Sequence, residues 1–167
     1  MSSSDRRAVL GLILALGACG YAPAFAPGGP ATPLLEGVKA DPPADRAGFD
    51  FVQRIEERLG RTRTPRFRLT YAIATDEAGL AITPENAITR YHVTGRVDWS
   101  LRDAGSDAVL ASGSETAFAA FAASGTTVST AAARQDAYLR LVRSLADRVV
   151  TQLVAASAVT AASGDPG

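Results

Sequence analysis

The chain has 167 residues, of which 47% are apolar, with 17 basic and 17 acidic residues and one histidine. That size and apolar fraction suit one globular domain with its own core. The balanced charge excludes the basic excess that marks nucleic-acid binders. The single cysteine excludes an internal disulfide.

Taken in chain order, the first signal is at the N-terminus. Arg6 and Arg7 precede a short apolar run over residues 8–16, too short to span a bilayer as a helix. The run ends in Leu16-Gly17-Ala18-Cys19. Small residues before a cleavage point suit a signal peptidase, and the four-residue pattern resembles the bacterial lipobox. The resemblance implies a signal peptide over residues 1–18 and lipid attachment at Cys19. Acyl chains anchor firmly, since each buried methylene contributes about 0.8 kcal/mol. Gly20, where an inner-membrane retention signal would carry Asp, points to the outer membrane.

Residues 19–36 are rich in Gly, Pro and Ala and are expected to form a flexible tether. One α+β domain is expected over residues 37–157, and a disordered tail over 158–167. Within the domain, residues 35–40 suggest a short strand. Residues 48–59 suggest a helix, with Val52, Ile55 and Leu59 at helical spacing and Gly60 as its C-terminal cap. Residues 66–75 alternate, with Phe67, Leu69, Tyr71 and Ile73 on one side and Arg66, Arg68, Thr70 and Ala72 on the other. Residues 89–102 alternate longer still, with Val93, Val97, Trp99 and Leu101 opposite Arg90, His92, Arg96 and Arg102. A turn over 103–107 leads to a strand at 108–118 whose small residues leave its faces ambiguous. A long helix over 130–156 carries Tyr138, Leu141, Val142, Leu145, Val149, Val150 and Leu153 as an apolar stripe, capped by Ser129 or Thr130. The expected fold is α+β, an antiparallel sheet of three to four strands packed on one face by two helices.

The sequence points away from an enzyme and implies neither cofactor nor metal. His92, on the polar face of a strand, is more simply solvated than catalytic. The Gly-Ser pairs at Gly105-Ser106 and Gly113-Ser114 lack the strand-turn-helix setting of a nucleophile elbow.

Three stretches carry a family resemblance. Cys19-Gly20-Tyr21-Ala22-Pro23 follows the lipobox directly. Arg90-Tyr91-His92-Val93 leads into Asp98-Trp99-Ser100-Leu101-Arg102-Asp103. The last helix opens on Thr130-Ala131-Ala132-Ala133-Arg134-Gln135-Asp136-Ala137 and closes on Leu145-Ala146-Asp147-Arg148-Val149-Val150-Thr151-Gln152-Leu153. Their order resembles the LptE family of lipopolysaccharide-assembly lipoproteins, with Ala22 and Ala24-Phe25-Ala26 departing from its usual Arg and Leu-Tyr-Gly. The resemblance implies a lipid-anchored outer-membrane protein inside the LptD β-barrel. Such a protein helps the barrel fold, plugs it, and helps deliver lipopolysaccharide, without a covalent step.

A sheet covered by helices on one face leaves the other free. That free face is expected to carry Arg66, Arg68, Arg90, His92, Arg96 and Arg102, with Arg58, Arg61 and Arg63 just before. Antiparallel pairing of the second and third strands should bring Arg66 and Arg68 toward Arg96 and Arg102. Lipid A phosphates or acidic residues lining a barrel are fitting counterparts; a solvated face partly neutralised by Asp98 is the alternative. The competing functional reading is a periplasmic accessory lipoprotein of a lipid-transport ATPase or a cell-wall synthase. Cys19→Ala is predicted to abolish lipidation and cleavage before residue 19. Metabolic labelling with a palmitate analogue checks this, and wild-type labelling of the variant would contradict it.

Overall fold

The structure, a computed structural model, describes residues 24–82, 88–123 and 126–163. Cys19 and the expected signal peptide lie outside the described residues.

Residues 24–36 do not extend as a tether. Gly29 N–H donates to the Ala26 carbonyl at 2.7 Å, and the Thr32 hydroxyl donates to the same oxygen at 2.9 Å. Gly28 turns the chain at φ +79°, and Thr32–Leu34 form one turn of 3-10 helix. Ala31 and Leu34 are buried in the domain. Glycine and proline also favour turns, and the apolar residues between them reach the core.

Strand β1 is short, Val38–Ala40. Helix α1, Arg46–Leu59, opens on Asp45, whose carboxylate accepts the Gly48 N–H at 2.7 Å. It closes at Gly60, whose φ of +84° reverses the chain while its N–H donates to the Glu56 carbonyl. Phe51, Ile55 and Leu59 form its buried stripe. Val52, expected on that stripe, is only half buried; the buried stripe instead steps by four residues from Phe51 through Ile55 to Leu59.

Strands β2 (Phe67–Ile82), β3 (Ile88–Asp103) and β4 (Val109–Ala122) form an antiparallel meander in the order β1-β2-β3-β4. The first pairing departs from the expected antiparallel sheet. β1 runs parallel to β2, from Val38 beside Phe67 to Ala40 beside Leu69. A helix between two neighbouring strands returns the chain to the end where it began, which makes those strands parallel. Helix α2, Thr127–Ser163, starts earlier and ends later than the sequence pattern suggests. The side chain that accepts a first-turn N–H belongs to Thr126, which takes it from Ser129 at 3.2 Å. The helix continues through residues 158–163, where a disordered tail was expected.

The core lies between the sheet and the helices. Leu69, Val93, Val97, Trp99 and Leu101 meet Leu141, Val142, Leu145, Val149 and Leu153 of α2 and Phe51, Ile55 and Leu59 of α1. Gly95 lets α2 approach β3: a Cβ there would lie 3.0 Å from Leu141 Cδ2 and 3.1 Å from Leu145 Cδ1. The two helices are joined by Arg54, whose Nε and Nη2 donate to the two carboxylate oxygens of Asp147 at 3.1 and 3.0 Å. On β4, Ala117 and Phe121 are buried and Phe118 is exposed, which settles its faces. Leu145→Ala should cost about 2–5 kcal/mol and Trp99→Ala about 3–5 kcal/mol in denaturant unfolding. A loss below about 1 kcal/mol for either would place the core elsewhere.

Candidate functional site: the free face of the sheet

Alternation puts both side chains of every second register pair on the face away from the helices. Across β2, β3 and β4 the rows on this face read Arg68-Arg102-Val109, Thr70-Ser100-Ser112, Ala72-Asp98-Ser114, Ala74-Arg96-Thr116, Asp76-Thr94-Phe118 and Ala78-His92-Ala120. Most of these side chains are small, so the surface is low and permits close approach by another flat surface. The arginines rise from it at intervals.

The expected site residues fall into three groups along this face. Arg68 and Arg102 are register partners, as antiparallel pairing required. Arg96 stands six residues from Arg102 on the same strand, and Arg90 six further, each step about 20 Å at the rise of a strand. Arg96 therefore opposes Ala74 and does not join the Arg68 pair. Arg66 precedes β2, with its guanidinium over the Phe67 ring at 5.6 Å and its carbonyl accepting the Ala104 N–H. The expectation that Arg66 and Arg68 would converge with both Arg96 and Arg102 thus holds only between Arg68 and Arg102. The pairing register runs nearest neighbours together and keeps the third row away.

Local carboxylates temper the positive charge. Arg68 Nη2 lies 2.7 Å from Asp107 Oδ1, and Arg102 Nη1 lies 3.3 Å from Asp107 Oδ2, so one carboxylate serves two guanidinium groups. Arg96 grips Asp98 with Nη2 at 2.7 Å and Nε at 3.1 Å. That hydrogen bond, with a second from Ser114, holds the Asp98 carboxyl below its ordinary range. A lowered carboxyl pKa keeps the pair ionised through neutral and mildly acidic pH; the pair is lost only as pH falls through that lowered value. These pairs are exposed, so they hold the arginines in place more than they stabilise the fold. No ion-pair partner stands beside Arg90 among the described residues.

His92 is half buried, with its ring edge-on to Phe118 at 5.2 Å and its Nε2 buried without a hydrogen-bond partner among the described residues. With Ala74, Thr94, Arg96 and Thr116, these two rings line a shallow groove of about 520 Å³. Sequence reasoning found His92 and Arg96 there but missed Phe118, which is 72% exposed. The signal was present in a single aromatic out of phase with Phe121, and small neighbours obscured it. Asp107 was also missed, because it lies in a turn at a positive φ of 59° and reaches the face from its end. No group of three or more His, Cys, Asp or Glu among the described residues is placed to hold a metal ion.

Comparison with known proteins follows the same outline. The family model described as LptE, lipopolysaccharide-assembly, matches residues 35–153. No curated protein matches the chain by sequence. Among solved structures, a candidate lipoprotein from Caulobacter crescentus superposes with a TM-score of 0.65 at 18% identity, covering 78% of this chain and 98% of that one. The rare lipoprotein B from Shewanella oneidensis superposes with a TM-score of 0.55 at 12% identity, covering 74% of this chain and 96% of that one. At these identities the likeness is one of fold.

Removing the neutralising carboxylates should expose the arginines. The double variant Asp98→Asn, Asp107→Asn is predicted to bind inorganic polyphosphate severalfold more tightly by calorimetric titration, with an unchanged unfolding midpoint. Unchanged affinity would show that the arginines already reach anions freely.

Proposed function

The chain belongs to the LptE lipopolysaccharide-assembly family, and from that premise we propose that it is an outer-membrane lipoprotein that sits in an LptD-type β-barrel. It plugs that barrel, helps it fold, and helps deliver lipopolysaccharide to the outer leaflet. Its partners in this reading are the barrel, lipopolysaccharide, and the membrane reached through the Cys19 lipid. Its action is binding, with no covalent step.

The observation that carries the reading is the uncovered sheet face. Both helices pack on one side, so a broad surface of small residues remains, punctuated by Arg68 with Arg102, by Arg96, and by Arg90. Arginine suits phosphate because its planar donors meet two oxygens at once. The spacing of about 20 Å suits contacts distributed over a large ligand or a barrel wall better than a single small anion. The groove beside Phe118 offers an apolar surface next to Arg96, a pairing that an amphipathic glycolipid satisfies. Membrane attachment through lipid is consistent with a fold in which no described helix is long and apolar enough to cross a membrane.

Arg96→Glu with Arg102→Glu tests the reading. Charge-assisted hydrogen bonds contribute roughly 1.5–3 kcal/mol each, so affinity for lipopolysaccharide should fall by well over tenfold. Co-purification with a large outer-membrane β-barrel should weaken in parallel, and thermal unfolding should stay nearly unchanged. The loss should shrink at high salt. Unchanged affinity and co-purification in a folded variant would leave this face a solvated surface.

A further inference from the structure

The edge of the sheet offers a second surface, independent of the free face and of the family reading. β4 is an outermost strand. The Ala123 N–H donates to the Thr89 carbonyl at 2.9 Å, which sets the ladder. Residues in step with Ala123 exchange bonds with β3, and the alternate residues Ser112, Ser114, Thr116 and Phe118 turn their N–H and C=O groups outward. Farther along, the Ala120 carbonyl also turns outward and accepts from Arg140 Nη2 at 3.3 Å. From Ser112 to Phe118 the outward backbone groups have no partner among the described residues.

Exposed strand edges are ordinarily guarded by lysine, proline or a bulge. From Ala111 to Ala122 there is no lysine and no proline, and Glu115 is the one charged residue. The bulge lies at one end, between Leu101 and Arg102 in the register. This edge is therefore open, regular and small-residued over its middle.

The flank of α2 overhangs that edge. Arg140, Ser144, Arg148 and Gln152 recur at four-residue spacing and so share one side of the helix. With Arg54, Arg143, Glu115 and Asp147 they line an open groove of about 640 Å³, in which arginines outnumber carboxylates. A neighbouring hollow of about 390 Å³ shares Glu115 and Gln152 and is bounded by Trp99 and Gly113. Gly113 is needed there, since a Cβ would lie 3.0 Å from the Trp99 ring and 3.2 Å from its Nε1. That indole N–H is buried and has no hydrogen-bond partner among the described residues. Arg140 has one carboxylate neighbour, Asp136 at 3.1 Å. Arg148 has none within ion-pair distance among the described residues.

We propose that the outer edge of β4 is a strand-addition site for an extended, acidic segment of a partner polypeptide. The backbone of such a segment pairs with Ser112–Phe118, and alternate side chains point under the flank of α2, where carboxylates meet Arg148 and Arg140. Charge selects this occupant over a second copy of the chain. Twofold pairing of β4 with β4 would set the Arg140 and Arg148 flanks of two copies against each other, and like charges repel.

The test uses the full chain in detergent and two fluorescent ten-residue peptides, one alternating Glu and Val, the other Lys and Val. The Glu peptide should bind at least about tenfold more tightly than the Lys peptide, the factor that one or two charge-assisted contacts supply. Ser114→Pro removes an outward N–H while leaving the β3 ladder intact, as proline on an edge strand allows. It should weaken the Glu peptide by about tenfold or more and keep the unfolding midpoint. Arg148→Glu should reverse the preference between peptides. Should the proline variant not fold, hydrogen exchange on the unaltered chain decides, with the outward amides of Ser112, Ser114, Thr116 and Phe118 slowing when the Glu peptide is added. Absence of Glu-peptide binding would overturn the proposal. So would binding indifferent to Ser114→Pro in a folded variant, or concentration-dependent dimerisation that protects the same amides.

Discussion

The close seating of α2 on β3 governs the architecture. Gly95 carries no side chain where Leu141 and Leu145 press down, and Gly113 carries none where Trp99 lies across β4. A side chain at either place would lift the helix or the indole by a few tenths of an ångström, and interiors packed to crystal-like density do not absorb that freely. The two gaps let one long helix cover β3 and β4. Helix α1 then needs only to fill the space over β1 and β2, and the Arg54–Asp147 bridge ties it to its neighbour.

One-sided packing has a direct consequence for function. Because Val93, Val97, Trp99 and Leu101 of β3 are committed to the core under the helices, the side chains that alternate with them are released from the demands of the core. They are Arg90, His92, Thr94, Arg96, Asp98, Ser100 and Arg102, a set that a buried face could not hold. The face is kept low by its small residues and its charges are steadied by Asp98 and Asp107. It suits the binding role proposed for this member of the lipopolysaccharide-assembly family.

The sequence made the strongest periodicities legible. β3 alternates from residue 89 to residue 102, and the stripe of α2 repeats at helical spacing, so both elements and their buried faces are readable from residues alone. Boundaries were less so, because the pattern of α2 fades into alanine at both ends while the helix does not. The parallel pairing of β1 escaped notice since three residues carry almost no pattern; it follows instead from the path that α1 imposes. Residues 24–36 misled because glycine and proline signal both turns and extension, and only the burial of Ala31 and Leu34 distinguishes the two. Of the site, the row membership of Arg68, Arg96 and Arg102 was readable from alternation. Their separation depends on register, and their neutralisation by Asp107 depends on a turn, neither of which a single strand encodes.

The central claim is that the sheet face turned away from the helices is the surface that meets lipopolysaccharide. Site-specific photocrosslinking in cells tests it most directly, with a photoreactive residue placed at Thr94 on that face or at Gln53 on the exposed side of α1. The account predicts a lipopolysaccharide adduct from position 94 and none from position 53. An adduct from position 53 alone, or from neither position in a correctly anchored chain, would contradict it.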